Sequence, residues 1–299
     1  MKKLRIVLLV VFAALFLFSA YKVISIMRYY HKDTSYYNDV ADQYKETFSK
    51  EESTETETPP ETETSTEEIP ETTEPTEPEP AEIVWPDFSQ YEQEAKTLPY
   101  LHTNLEYVVL PRFVFDFDSL LSVNPDVRGW IMLSDTEIDY PLVQGSSNQT
   151  YIRSGPDGQP HNAGSIFLDY RNAGDFSDRN TVIYGHNQNN HKMFHDLYSY
   201  LDQAFADAHP FFNIYKPDGT CLTYEVAACY VTPAIGETYH IYFDTDAEFE
   251  EYVQYVMNES EIDCGVTLTA ADKIVTLSTC TNIADENRVV VQARLVTNH

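Results

Sequence analysis

Residues 273–296 read KIVTLSTCTNIADENRVVVQARLV, two runs of β-branched and apolar residues separated by a polar stretch. Runs of this composition, bounded by turn-forming residues, predict β-strands. Side chains of an extended chain alternate between its two faces. Ile274, Thr276, Ser278 and Cys280 therefore share one face of the first strand, and Val275, Leu277 and Thr279 share the other. In the second strand Arg288, Val290, Gln292 and Arg294 share a face, and residues 281–287 join the two runs. If that join closes a hairpin, the end of one strand lies beside the start of the next, about 5 Å away. Cys280 and Arg288 would then flank one spot at the edge of the sheet. A partly exposed cysteine beside a fixed positive charge favours the thiolate, the form that attacks carbonyls. A buried structural cysteine and a solvated arginine fit the same spacing, so geometry alone leaves both readings open.

Further runs of this kind lie upstream: VRGWIMLSDTEIDYPLVQG (127–145), GSIFLDYR (164–171), NTVIYGHN (180–187), CLTYEVAACYVTPA (221–234) and HIYFDT (240–245). Short strands without regular intervening helices predict a mainly β domain, an antiparallel barrel or sandwich, and exclude a doubly wound α/β sheet. Helical patterns are few. FDFDSLLSVNPDVRGW (115–130) begins with a short amphipathic turn, and HKMFHDLYSYLD (191–202) aligns Met193, Phe194, Leu197 and Leu201. In TDAEFEEYVQYVMNES (245–260), Thr245 and Glu248 form a capping box ahead of Phe249, Tyr252, Val253 and Val256 at helical spacing.

The N-terminal third has a different composition. Residues 51–82 hold 13 glutamates, six prolines, no basic residue and one large apolar side chain, Ile69. Such a stretch cannot offset its ordering entropy, and it predicts an extended, disordered linker. Setting those glutamates aside leaves a formal charge of −16 out of −29, which excludes a nucleic-acid partner because phosphate binding needs clustered Lys and Arg. Ahead of the linker, three basic residues precede sixteen uncharged residues, Ile6–Tyr21, and the apolar run continues past Lys22 to Met27. Its length suits a transmembrane signal anchor over 1–28 if Lys22 snorkels. A cleaved signal peptide competes, against which Phe18 is bulky where small residues are expected. The division expected is an anchor (1–28), a membrane-proximal segment and linker (29–82), and a catalytic domain (83–299), with the domain outside a single-pass membrane.

Cysteines lie at 221, 229, 264 and 280, without CxxC or zinc-like spacing. Cys229, inside YEVAACYV, reads as a small core residue. A thiolate that attacks a carbonyl needs a group to protonate the leaving amine, and histidine is the usual choice. His186 ends the run TVIYGH, where a rim residue would be. His191 and His195 sit at i, i+4 in a helical pattern, but without an evident third ligand or an HExxH motif no metal or other cofactor is expected.

Together these features resemble the sortases, cysteine transpeptidases of Gram-positive cell surfaces. TLSTC (276–280) matches the family's TLxTC motif, Arg288 follows at the usual distance, and YGHN (184–187) looks like its histidine segment. The resemblance spans about 110–296 and is closest to class B, through GSIFLDYRN (164–172) and the capped helix before the cysteine strand. It implies an eight-stranded sortase β-barrel with short peripheral helices. It also implies catalytic roles: Cys280 as nucleophile towards the Thr carbonyl of a sorting signal, His186 as acid and base, and Arg288 as substrate and oxyanion ligand. Ser278, Asn148 and Ile152 resemble groove-lining, substrate-binding positions, with a turn asparagine and a core isoleucine as the plainer alternatives for the last two; Asp169 reads as a structural turn or ion-pair residue. The partners implied are secreted proteins bearing a sorting signal, a peptidoglycan-precursor amine as acceptor, and the membrane through the N-terminal helix. A pilin-polymerising sortase, a Cys/His peptidase and a non-catalytic binding module are the alternatives; the order His186 before Cys280 is the reverse of papain-like enzymes.

Overall fold

The computed structural model describes residues 2–47, 113–188, 190–280 and 286–298. The linker at 51–82 and residues 83–112 lie outside the described residues, as do 281–285 and the side chain of Cys280. Helix α1 (Lys2–Tyr44) leads to a small pair, β1 (Lys45–Thr47) with β2 (Phe113–Phe115). Next come α2 (Phe117–Val123), β3 (Val127–Met132), β4 (Asp139–Val143), β5 (Ile166–Leu168), β6 (Asn180–Gly185) and a 3₁₀ helix at His195–Leu201. Then follow α3 (Gln203–Ala208), β7 (Phe211–Tyr215), β8 (Cys221–Pro233), α4 (Asp246–Glu259), β9 (Ile274–Cys280) and β10 (Asn287–Asn298). Strands β3 to β10 close an eight-stranded barrel in the order β10-β8-β7-β3-β4-β5-β6-β9.

Two departures from the sequence expectation have physical causes. The barrel is not wholly antiparallel, because β4 pairs with β5 and β6 with β9 in parallel. Parallel neighbours need long crossovers, and 144–165 and the excursion from 186 to 273 supply them. HIYFDT forms no strand: closure gives every barrel strand two partners and leaves no free edge to extend.

Both faces of β9 and β10 are covered, so that even Thr276, Ser278 and Gln292 are buried. Val275, Leu277, Val289 and Val291 belong to the large core cluster with Ile131, Leu142 and Ile183. Ile274 and Val290 pack with Ala228, Tyr230 and the α4 residues Phe249, Tyr252, Val253 and Val256. The cap of α4 is as expected on one side, with Glu248 N donating to Thr245 Oγ1 at 3.1 Å. The Glu248 carboxylate reaches the Asp244 amide at 2.7 Å. Beneath α4, Gln292 Nε2 donates to the Tyr252 and Thr276 hydroxyls at 2.8 Å, and Tyr230 OH donates to Gln292 Oε1 at 3.0 Å. Both polar side-chain atoms of Gln292 are thus engaged within a buried interface.

Residues 1–46 belong to the same compact unit as the barrel. Tyr37 of α1 is buried, its hydroxyl donates to Gly164 O, and its ring meets Tyr140 edge-on at 5.2 Å. Tyr44 packs in the cluster of Phe115, Phe117 and Trp130. Within the stretch expected as a membrane-proximal segment and linker (29–82), Tyr37 and Tyr44 thus join the core. Among the described residues no helix is long and apolar enough to cross a membrane; the side chains of 1–14, half of the predicted span, lie outside them.

Candidate active site

Three neighbouring strands bring the predicted residues to one rim. In the antiparallel ladder of β9 and β10, Cys280 pairs with Arg288, as the hairpin argument requires. In the parallel ladder of β6 and β9, Gly185 pairs with Thr279. His186 is the residue after Gly185 and Cys280 the residue after Thr279, so the backbone leaves them side by side. The β6–β9 contact could not be read from the sequence, because 88 residues separate the partner strands' near ends, 186 to 273.

His186 is half-buried and its Nε2 meets the Ile152 carbonyl at 2.9 Å. Since a carbonyl only accepts, Nε2 carries the proton and Nδ1 the lone pair. Burial holds the imidazole pKa below its ordinary value; the Ile152 carbonyl pulls the other way, and Arg153 and Arg288 reinforce the depression. Phe194 N donates to His186 O at 2.9 Å and fixes the backbone that carries the ring. Arg288 is half-buried, with one guanidinium nitrogen donating to Asn287 O at 2.8 Å.

The other three cysteines are unsuited to the thiolate role. Cys221, Cys229 and Cys264 are free thiols, and burial pushes Cys221 up to about 11 and Cys264 up to about 12. Cys229, fully buried as expected, is raised further still. None of the three is poised to ionise near neutral pH.

Ser278 is buried, and its hydroxyl lies 2.9 Å from Tyr239 OH. Ile152 is only partly buried, and its carbonyl rather than its side chain meets His186. Asn148 is half-buried and bound on both ends: Nδ2 donates to Asp169 Oδ2 at 2.9 Å and Oδ1 accepts from Tyr170 N at 3.0 Å. Asp169, fully buried, also accepts from Arg171 Nε and Nη2 at 2.9 and 2.8 Å and from Tyr184 OH at 2.9 Å. Burial alone would raise its pKa, but these donors outweigh it and hold the carboxyl below its ordinary value. This is the ion-pair role expected of Asp169.

Sequence reasoning missed Tyr239 and Tyr184. Their rings stack at 6.1 Å, and together they link Ser278 to the Asp169 network. Tyr239 also lines a cavity of about 450 Å³ with Arg171, Glu237, His240, Ile241 and Tyr242. Nothing local marks it out, since it sits on a single 3₁₀ turn, Glu237–Tyr239, with no periodic pattern.

The model of the sortase domain family matches residues 131–296. Sortase B of Listeria monocytogenes is 41% identical over 180 residues, covering 60% of this chain and 73% of that protein. Sortase B of Staphylococcus aureus is 32% identical over 182 residues, 60% of this chain and 74% of that protein. A Staphylococcus aureus sortase B-substrate complex superposes with a TM-score of 0.57 at 31% identity, covering 60% of this chain and 84% of that one.

Proposed function

The chain belongs to the sortase family, most like class B, and on that premise we propose that it cleaves a C-terminal sorting motif of secreted proteins after Thr and transfers them to a cell-wall amine. The observation that carries the reading is the shared rim of β6, β9 and β10, where Cys280 pairs with Arg288 and follows the partner of Gly185. In the proposed sequence, the Cys280 thiolate attacks the Thr carbonyl and the Arg288 guanidinium stabilises the tetrahedral oxyanion. The carbon–nitrogen bond breaks as His186, in its imidazolium form, gives its Nδ1 proton to the departing amine, and a thioacyl enzyme remains. The incoming amine then loses a proton to His186 as it displaces the thiol. A pKa below the ordinary imidazole value eases release of that proton and leaves a neutral imidazole with a free Nδ1 lone pair for the incoming amine.

We further propose single-pass membrane attachment through residues 1–28, with the domain outside, supported by the uncharged run Ile6–Tyr21. Attachment suits an enzyme whose acceptor is a membrane-bound precursor. The test is mass spectrometry of the full chain incubated with LPxTG-like and NPxTN-like peptides. A peptide adduct on Cys280 that an added amine discharges, and that Cys280→Ala abolishes, is the expected result. Cleavage that survives Cys280→Ala would overturn the assignment.

A further inference from the structure

The segment that leaves His186 carries a second group of side chains with ligand chemistry. His191, His195 and Asp196 each offer one ligand atom, and these atoms lie within 4.8 Å of one another. The sequence spacing of His191 and His195, i to i+4, predicts a helical pair without an evident third ligand. The chain is not helical there: His191 and Met193 have φ of 61° and 62°, and the 3₁₀ helix starts only at His195. Left-handed backbone at non-glycine residues is costly and persists where its surroundings impose it. Here the fully buried Met193 and Phe194 anchor the turn, with Met193 N donating to Tyr140 OH at 3.0 Å. The turn brings the His191 ring to 4.2 Å from that of His195, centroid to centroid.

The supporting contacts are those a metal site needs. His195 Nδ1 lies 2.7 Å from Asn187 Oδ1; the oxygen accepts, so Nδ1 holds the proton and Nε2 keeps its lone pair. Asp196 Oδ2 accepts from Glu137 N at 2.9 Å, which fixes the carboxylate. Lys192 is paired with Glu137, so its charge is balanced within the loop. In the same loop, Gln188 Oε1 and both side-chain polar atoms of Asn190 are buried without a hydrogen-bond partner among the described residues. Tetrahedral ligation at about 2.0–2.1 Å puts ligand atoms roughly 3.4 Å apart, and His191, the exposed member of the group, has room to adjust.

We propose that His191, His195 and Asp196 bind a divalent transition-metal ion, Zn²⁺ first among them. Two imidazoles and one carboxylate suit Zn²⁺, Cu²⁺ or Ni²⁺; Ca²⁺ and Mg²⁺ prefer all-oxygen shells. Because Phe194 N holds the His186 carbonyl, an ion on this loop stiffens the segment from which His186 projects. The site stands independently of the transpeptidase reading.

The experiment titrates Zn²⁺ alone into the full chain carrying Cys280→Ala, which removes a competing thiol, by calorimetry at neutral pH. One equivalent should bind with a Kd at or below about 10 μM. His191→Ala, an exposed position, and the isosteric Asp196→Asn should each weaken binding at least about tenfold. His240→Ala, a surface histidine facing Glu248, should change nothing. With Cu²⁺ in place of Zn²⁺, the electron paramagnetic resonance signature of two nitrogen ligands should reduce to one in His191→Ala. Binding weaker than about 100 μM, or binding that His191→Ala leaves intact, would overturn the site. Loss in His191→Ala with Asp196→Asn unaffected would overturn the three-ligand assignment.

Discussion

At the scale of single residues, the question is what Arg288 contributes beside Cys280. Lysine keeps the charge but replaces a planar five-donor fork with a compact ammonium. If Arg288 holds the substrate carbonyl and the oxyanion, Arg288→Lys should lower kcat/KM at least about 100-fold, roughly 2.7 kcal/mol of transition-state stabilisation. The thiol pKa, read from the pH dependence of alkylation, should move by less than about one unit because partly exposed charges are screened. A near-normal kcat/KM would make the arginine an electrostatic neighbour only. A second residue acts through His186. Gly164 has φ of +64°, and a Cβ there would come within 2.4 Å of the Ile152 carbonyl, the acceptor that orients the imidazole. Gly164→Ala should therefore destabilise the fold by more than about 1 kcal/mol. It should also cut the activity of the folded fraction at least about tenfold, measured by active-site titration alongside thermal unfolding.

At the scale of elements, α1 and α4 cover the barrel by different physics. Helix α4 is legible in its own sequence, with a cap and an apolar stripe, and it seals the outer face of β9 and β10 through Tyr252 and Gln292. Helix α1 docks through isolated aromatics. Burial of Tyr37 with its hydroxyl bonded to Gly164 O makes Tyr37→Ala cost about 3 kcal/mol, seen as a lower denaturation midpoint at unchanged slope. An unaltered midpoint would mean that the helix is not docked in solution. A chain that starts at residue 83 lacks this contact altogether and should be less stable than one that keeps α1.

At the scale of the whole molecule, stability should depend on pH through buried imidazoles. Burial holds His186 and His161 below their ordinary values; for His161 the carboxylates of Asp33 and Asp157 oppose this without reversing it. The unfolded chain takes up protons near pH 6.5 while the folded chain does not, so stability rises with pH across that interval. The melting temperature should be flat above about pH 7.5 and fall as the pH drops through about 6.5. His161→Gln should show a smaller fall. A separate loss should set in below about pH 4 as Asp169, held low by Arg171 and its other donors, takes up a proton. A melting temperature that rises between pH 7.5 and 5.5 would contradict this account. Local order in the chain determined the strand pair around Cys280 and Arg288, the capped helix at 245–260 and the burial of Cys229, because each rests on alternation, helical spacing or composition within a short window. Tertiary structure alone decided the parallel contact of β6 with β9, the burial of Tyr37 and Tyr44, the link from Tyr239 to Ser278, and the meeting of Asp196 with His191. Those contacts join segments far apart in the chain, or depend on left-handed turns at ordinary residues. No local pattern encodes them.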